Sequence, residues 1–406
     1  MGSDIHREVS VMLASIRKSY RHTIRASYLG YITQAIVNNF APLLFLTFMV
    51  DFDLTMDRIT LITTVNFAVQ LTVDALAVKV VDRIGYRPCI VAAHLFAMAG
   101  LAGLALFPMI LPAFSGIVLA VVLYAIGGGL IEVLISPIVE ACPTDAKAAA
   151  MSLLHSFYCW GHVFLVVVST AFFALFGMGA WRVMACLWAL VPLLNCFYFL
   201  LVPMYPIVAE GTKQMSLRGL LSKRVFWLLL VMMVCAGASE QAMSQWSSAF
   251  AEKALGVSKS LGDLAGPCAF AVLMGTARAL YGKFAERLPL TAVMMGSAAL
   301  CIGCYLLAAL SGSALLALIG CALCGFSVGI FWPGTFSIAP GVLPGGGTAM
   351  YALMALCGDL GCSGGPTLVG LAANAAGGEL RVGLLLALVF PAMMLLITAV
   401  LRGKKA

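Results

Sequence analysis

Glu132 is the residue of this chain whose type and surroundings most clearly indicate chemistry. It lies in the apolar segment GGGLIEVLISPIVE, three residues after a run of glycines. If this segment crosses a bilayer, a carboxylate there costs at least about 2.5–3.5 kcal/mol, which makes it a functional candidate. A carboxyl group removed from water can bind and release a proton near neutral pH. We therefore predict that Glu132 is a proton-coupling residue, with a structural hydrogen bond to a neighbouring helix as the alternative.

The other polar groups within apolar segments suit hydrogen bonding to a solute. Amides offer both donors and an acceptor, and a neutral imidazole can bond a hydroxyl group. An indole ring can stack on the apolar face of a sugar. The predicted substrate-binding residues are Asn38, Asn39, His155, Glu240, Gln241, Gln245 and Trp246. The alternative for each is structural, as a contact between helices, a satisfied core histidine or an interfacial tryptophan anchor.

Three further charges are predicted to be buried, namely Asp74, Arg278 and Asp359. Asn66, Gln70 and Asp74 are spaced by four residues and so form a polar stripe on one helix face. This stripe indicates either the lining of a cavity or a contact between helical bundles. Arg278 must be neutralised at bilayer depth, and Asp74 and Asp359 are its predicted partners.

The elements that hold these residues are apolar segments of about 20 residues, the length of a bilayer-crossing helix. The chain of 406 residues is 62% hydrophobic and 10% charged, with a mean hydropathy of +1.04. A soluble domain could not bury that much apolar surface, and backbone groups in lipid must pair within their own helix. We predict an all-α membrane protein with twelve transmembrane helices in two pseudo-symmetric six-helix bundles.

The predicted spans lie near 26–50, 58–80, 88–110, 114–138, 148–176, 180–203, 225–250, 261–283, 289–310, 313–337, 347–375 and 380–401. They divide the chain into a cytoplasmic segment (1–25), a first bundle (26–203), a cytoplasmic linker (204–223) and a second bundle (224–402). Of the 24 Lys and Arg residues, 18 fall on one side, 5 on the other, and Arg278 inside a span. Positive charge favours the cytoplasmic side, so both termini are predicted there, in a plasma or inner cell membrane.

Two loops about half a chain apart repeat an acid–arginine pair, in VKVVDRIGYRP and YGKFAERLPL. The pattern G-x-x-x-[D/E]-R resembles the signature loop of the major facilitator superfamily. The second copy begins with Gly282, whereas the first has Val78 at that position. The resemblance implies two bundles held together on the cytoplasmic side by charge-assisted bonds. The implied gating residues are Asp82, Arg83, Arg87, Glu286 and Arg287, although the same charges could serve as topology signals alone.

The run Gly129-Leu-Ile-Glu132 followed by Pro137 resembles the G-x-x-E-x-x-x-N-P pattern of the fucose permease-like sugar transporters, with Ser136 in place of Asn. In that family the acid is protonatable and is coupled to sugar transport. The family also carries an Asp in the first span, whereas this chain has no acid between Arg25 and Asp51. The resemblance extends to the acid-then-aromatic pattern near Glu240 and to FWP in the tenth span.

Together these features predict a secondary active transporter that moves a small polar solute by alternating access. A sugar is the favoured solute and proton symport the favoured coupling, with drug or metabolite efflux by a superfamily member as the alternative. No P-loop, clustered His motif or paired acids indicate an enzyme, and no cofactor is expected.

The pairs Cys301/Cys304 and Cys321/Cys324 have zinc-like spacing but lie in apolar helices, so packing is favoured over metal. The expected partners are the solute, protons and the lipid bilayer. The basic residues form no single patch for nucleic acid, and a monomer is expected.

Overall fold

The computed structural model describes residues 15–54, 56–206, 215–256 and 268–403. Its secondary structure in these ranges is helical, with no strand. The helices are α1 Tyr20–Leu43, α2 Phe45–Phe52, α3 Met56–Ile84, α4 Tyr86–Ile110, α5 Ala113–Ala141, α6 Lys147–Phe176, α7 Trp181–Leu201, α8 Leu217–Leu221, α9 Arg224–Leu255, α10 Ala269–Phe284, α11 Leu290–Leu310, α12 Ala314–Val328, α13 Phe331–Val342, α14 Gly347–Ala375, α15 Leu380–Ala387 and α16 Val389–Gly403. A 3₁₀ turn, Met178–Ala180, precedes α7.

Within the described residues, nine helical segments are long and apolar enough to cross a membrane. The first predicted span is divided between α1 and α2 at Leu44, just after Pro42. The described part of the eighth span, α10, has 16 residues, and residues 261–267 of that prediction lie outside the described ranges. The tenth and twelfth spans each contain two helices, which meet near Gly329 and at Leu388.

Backbone contacts divide the chain into two compact units. Unit 1 comprises Met1–Asp145, Trp160–Thr212 and Gly347–Ala352. Unit 2 comprises Ala146–Cys159, Lys213–Gly346 and Leu353–Ala406. The first part of α6 therefore groups with helices of the predicted second bundle. The first residues of α14 group with helices of the predicted first bundle.

In unit 1, α5 is the central helix and packs on α4, α3 and α1. Small residues allow the closest of these contacts. Gly100 of α4 lies directly against the backbone of Tyr124 in α5. Without a hydrophobic driving force between helices in lipid, such close backbone packing is a principal source of association. The buried core continues to α7 through large side chains that include Trp181 and Trp188.

In unit 2, glycines on α9 and α14 produce a similar close contact. Gly361 lies against the carbonyl of Val234, and Gly365 lies against Ala238. Gly237 of α9 faces the carbonyl of Gly358 in return. The structure shows that a Cβ on Gly364 would meet no atom within 4 Å.

Candidate solute and proton site

Three consecutive glycines of α5, Gly127–Gly129, bring three other helices close to Glu132. Successive residues of an α-helix point about 100° apart, so the three face different neighbours. A Cβ on the first glycine would lie 2.6 Å from the backbone nitrogen of Ala97 in α4. On the second it would lie 3.0 Å from Oε1 of Gln34 in α1, and on the third 3.2 Å from Cα of Gln70 in α3. The glycine run thus allows both glutamines to approach the level of the carboxylate.

These residues form a hydrogen-bonded group that we name the amide cluster: Gln34, Asn38, Asn66, Gln70 and Glu132. Nε2 of Gln34 donates to Oε2 of Glu132 at 3.1 Å and to Oε1 of Gln70 at 3.4 Å. Nε2 of Gln70 donates to Oδ1 of Asn38 at 2.8 Å and to Oδ1 of Asn66 at 3.2 Å. Gln34, Gln70 and Asn66 are buried, and Asn38 and Glu132 are half-buried. The cluster is a chain of amides that connects a carboxylate to an accessible asparagine.

The amide cluster joins two sequence predictions that were made separately, Glu132 and Asn38. Gln34 links them and was missed by the sequence analysis. Its spacing of four residues from Asn38 on α1 was a signal for the same helix face. Asn39 has a different role, because its Nδ2 donates to the carbonyl of Ala35 in the same helix at 2.9 Å.

A second polar group, which we name the arginine cluster, lies in unit 2 around Arg278. Nε donates to the carbonyl of Gly329 at 2.9 Å. Nη1 donates to the carbonyl of His155 at 3.2 Å and to Sγ of Cys159 at 3.1 Å. Nη2 forms an ion pair with Oε2 of Glu240 at 3.2 Å. All three guanidinium nitrogens of Arg278 therefore donate to a partner within unit 2.

The bond from Arg278 to Gly329 explains how the break between α12 and α13 is tolerated. Pro333 lies four residues after Gly329 and has no N–H to donate to that carbonyl. A carbonyl left unpaired inside a membrane protein is costly, so another group must supply the donor. Arg278 does so at the start of α13, and Ser152 donates to the Arg278 carbonyl at 2.7 Å.

The structure gives Arg278 an ion-pair partner that the sequence analysis had assigned to the solute. That partner is Glu240, a predicted solute ligand, and pairing of Arg278 with Asp74 or Asp359 stays a prediction. Glu240 lies on α9, and its distance from Arg278 depends on how α9 packs beside α10, which helical periodicity does not encode. Asp74 is fully buried in α3, and Asp359 is half-buried in α14.

The other predicted solute ligands, His155, Gln241, Gln245 and Trp246, differ in their contacts and in their exposure. The imidazole of His155 stacks on Phe336, with ring centroids 5.9 Å apart. The indole N–H of Trp246 donates to the carbonyl of Pro366 at 2.9 Å, a contact that anchors α9 to α14. Gln241 is half-buried and Gln245 is exposed.

Of the predicted gating residues, Arg87 has the clearest structural role. Its guanidinium donates to the carbonyls of Phe199, Leu200 and Val202 at 2.8–2.9 Å. These carbonyls end α7 and have no intrahelical partner, so a cation there is favourable. Arg87 therefore caps a helix of its own unit in this structure.

The other predicted gating residues lie at the ends of α3 and α10. Arg83, Glu286 and Arg287 are exposed. The side chain of Asp82 lies outside the described residues, as does that of Val78. Gly282 allows close packing in the second copy of the motif, since its Cβ would lie 3.3 Å from Cβ of Leu153.

Two buried polar residues that the sequence analysis did not single out stabilise unit 1. His94 Nδ1 lies 2.8 Å from the carbonyl of Ile90, and Nε2 lies 2.8 Å from Nδ2 of Asn195. The carbonyl of Ile90 can only accept, so Nδ1 carries a proton. The amide nitrogen of Asn195 can only donate, so Nε2 accepts and the imidazole is neutral. These bonds join α4 to α7.

The four cysteines with zinc-like spacing are buried and free. Cys301 and Cys324 lie with their sulfurs 3.9 Å apart. Across the ranges that the structure describes, no group of three or more His, Cys, Asp or Glu side chains is arranged to hold a metal ion.

Comparison with known families decides the class of protein. The sequence model of the Major Facilitator Superfamily matches residues 27–366, which is most of the chain. The chain belongs to the Major Facilitator Superfamily. The predicted family and fold class are thereby confirmed, as is the prediction of a transporter rather than an enzyme. A comparison with curated proteins found no match.

Solved structures of superfamily transporters have the same fold. FucP in the outward conformation has a TM-score of 0.79 and 16% identity, over 93% of this chain and 98% of that one. A variant of the Escherichia coli fucose:proton symporter FucP has a TM-score of 0.78 and 16% identity, over 95% and 99%. The proton:xylose symporter XylE, bound to 6-bromo-6-deoxy-D-glucose, has a TM-score of 0.74 and 14% identity, over 93% and 94%.

Proposed function

We propose that this superfamily member is a secondary active transporter that moves a sugar together with protons by alternating access. The observation that carries the proposal is the amide cluster. In it a carboxyl group, the unit that exchanges a proton, is hydrogen-bonded through two glutamines to Asn38. A half-buried amide offers a sugar hydroxyl both a donor and an acceptor. Proton and solute chemistry are therefore adjacent on one hydrogen-bonded chain.

Glu132 is the proposed proton site in preference to Glu240. Its hydrogen bond from Gln34 comes from a neutral amide, so a proton on Glu132 can be accommodated by rearranging that bond. A proton on Glu240 would remove the counterion of Arg278, which is buried. An uncompensated buried guanidinium is costly, so the ion pair favours an ionised Glu240.

A neutral solute fits the charges of the arginine cluster better than a cation does. Glu240 and Arg278 compensate each other at 3.2 Å, so this acid is already neutralised. We propose His155, Gln241, Gln245, Trp246, Asn38 and Asn39 as contacts of the solute, with Glu240 oriented by Arg278. FucP and XylE are named as symporters of fucose and xylose, which supports a sugar as the first solute class to test.

We further propose a monomer in a plasma or inner cell membrane, with both termini on the cytoplasmic side. Asp82, Arg83, Glu286 and Arg287 are proposed to contribute to the cytoplasmic gate. The positive-inside distribution of Lys and Arg supports this orientation.

The test uses the purified protein in proteoliposomes with L-fucose, D-xylose and D-glucose as probes. Sugar addition should cause proton uptake by the wild type. Glu132→Gln should abolish this uptake while leaving exchange of labelled sugar across the membrane partly intact, because the amide still fits the cluster but cannot ionise. Glu379→Gln, which changes an exposed acid at the start of α15, is the matched control and should behave as the wild type.

Wild-type proton uptake in Glu132→Gln would refute the proton site. If none of the three sugars binds and a hydrophobic cation does, the efflux alternative replaces sugar transport.

A further inference from the structure

The side-chain amide of Gln34 is hydrogen-bonded through its nitrogen but not through its oxygen in the described part of the chain. Its Nε2 donates twice, to Glu132 and to Gln70. Its Oε1 is buried and accepts no hydrogen bond from the residues that the structure describes. The residue is 2% exposed. A buried carbonyl without a donor is destabilising, so a neighbouring group that can supply an O–H, such as a protonated Glu132, would remove that cost.

The direction of each described bond in the amide cluster is the one that an ionised Glu132 would favour. An ionised carboxylate can only accept, so Gln34 must turn its NH₂ group toward it. The second N–H of this group reaches Oε1 of Gln70. Gln70 is thereby oriented with its own NH₂ group toward the carbonyls of Asn38 and Asn66. The ionised state of Glu132 therefore keeps one of the two lone pairs of the Asn38 carbonyl occupied by Gln70.

A proton on Glu132 changes the requirement on Gln34. The neutral carboxyl group has an O–H that must donate, and Gln34 Oε1 can receive it if the amide turns by about 180° about its terminal torsion, which is soft and roughly two-fold. The turn moves Nε2 away from Oε1 of Gln70. Only the proton is added in this step, to an oxygen of Glu132, and no covalent bond of Gln34 changes.

From this geometry we infer that Gln34 is a relay that transmits the protonation state of Glu132 to the solute-binding face of Asn38, by reversal of its amide. The inference rests on the proposed function, since it assigns the coupling step of that site. After the reversal, Gln70 is no longer held by Gln34, so its bond to the carbonyl of Asn38 can be released and both lone pairs of that carbonyl can accept from solute hydroxyls. Proton binding then favours solute binding, and linkage requires the reverse to be equally true.

Among the described residues, three ionisable groups other than thiols are buried on the helices packed against α5. They are Tyr31 of α1, whose hydroxyl lies 3.1 Å from Oγ of Ser136, Asp74 of α3 and His94 of α4. Both nitrogens of His94 are bonded, to Ile90 and Asn195. Asp74 is fully buried and lies one turn from Gln70, so its titration must be separated from that of Glu132.

The experiment is infrared difference spectroscopy of the intact protein in lipid during a pH step, with the proton as the only added ligand. In the wild type, the carboxyl C=O band of protonated Glu132 and side-chain amide bands should change together. Glu132→Gln should lose both signals, and Asp74→Asn should retain both. Gln34→Leu should retain a carboxyl band, shifted because its acceptor is gone, and lose the amide changes. Thr33→Val removes a neighbouring buried hydroxyl on α1 that bonds its own helix and should retain both signals.

Amide changes that persist in Gln34→Leu would overturn the relay while leaving Glu132 as the proton site. A carboxyl band that persists in Glu132→Gln and disappears in Asp74→Asn would overturn both the proton site and the relay. If Gln34→Leu does not fold, Gln34→Met, with an unbranched side chain of similar length, provides the same comparison.

Discussion

Arg278 donates to groups on three other parts of unit 2, which makes it the most connected polar side chain described in either cluster. Glu240 supplies the charge, while two carbonyls and a thiol accept the other donors. A buried ion pair is weak evidence for stability by itself, because desolvation offsets attraction. Removing only one partner, by contrast, leaves the other charge buried and uncompensated and should lower the free energy of unfolding strongly.

We predict that Arg278→Met lowers the free energy of unfolding by about 3–5 kcal/mol, the cost of leaving a buried charge uncompensated. Denaturation in mixed micelles measures the effect. The double variant Arg278→Met with Glu240→Gln should regain part of the loss, since no buried charge then remains. A double variant as unstable as the single one would show that the carbonyl bonds, rather than the ion pair, are what Arg278 contributes.

The sequence indicates which polar residues lie at bilayer depth, but it does not identify all of their partners. Hydropathy places Glu132 and Arg278 at bilayer depth, and the family pattern singles out Glu132. Partners depend on which faces of neighbouring helices meet, and a single sequence does not contain that information. Gln34 was missed for this reason, and the ion pair of Arg278 with Glu240 was not predicted.

At the scale of the helices, small residues determine which contacts are close. Gly361 and Gly364 lie three residues apart in α14 and have opposite surroundings. A Cβ at Gly361 would collide with the carbonyl of Val234 in α9, whereas one at Gly364 would meet nothing within 4 Å. Composition alone made the two positions equivalent, although only one of them lies in the contact between helices.

We predict that Gly361→Ala destabilises the protein by about 1–3 kcal/mol, because α9 and α14 must separate. Gly364→Ala should be neutral or stabilise by up to about 1 kcal/mol, because alanine loses less conformational entropy in a helix. Thermal unfolding of the two variants in one detergent compares them directly. Equal destabilisation at both positions would contradict the packing argument.

Helix positions were predictable because the bilayer length and the hydrophobic pattern determine them together. Predicted spans such as 347–375 and 289–310 agree with α14 and α11 within a residue. The breaks within the spans were not predicted, because each depends on which neighbouring group satisfies the backbone atoms that the break leaves unpaired. At Gly329 that group is the donor supplied by Arg278, a residue about 50 positions earlier in the chain.

At the scale of the whole molecule, unit 1 contains the first residues of α14, a helix from the predicted second bundle. Within this unit, the hydroxyls of Tyr86 and Thr348 lie 2.6 Å apart. Tyr86 belongs to the first copy of the repeated loop, on the predicted cytoplasmic side. If the predicted bundles move apart there during alternating access, this bond must break. It is therefore expected to stabilise the conformation in which that side is closed.

We predict that Tyr86→Phe raises the labelling rate of Ala349→Cys by an impermeant maleimide about two- to tenfold, the population change equivalent to one hydrogen bond. Ala349 is buried next to Thr348, and the background replaces Cys186 and Cys268, which are exposed. Tyr198→Phe is the matched control, because its hydroxyl bonds His22 at 2.7 Å within the predicted first half. The control should label at the wild-type rate, since its bond does not have to break. Equal labelling in both tyrosine variants would mean that the bond of Tyr86 stabilises local structure and does not bias the transport equilibrium.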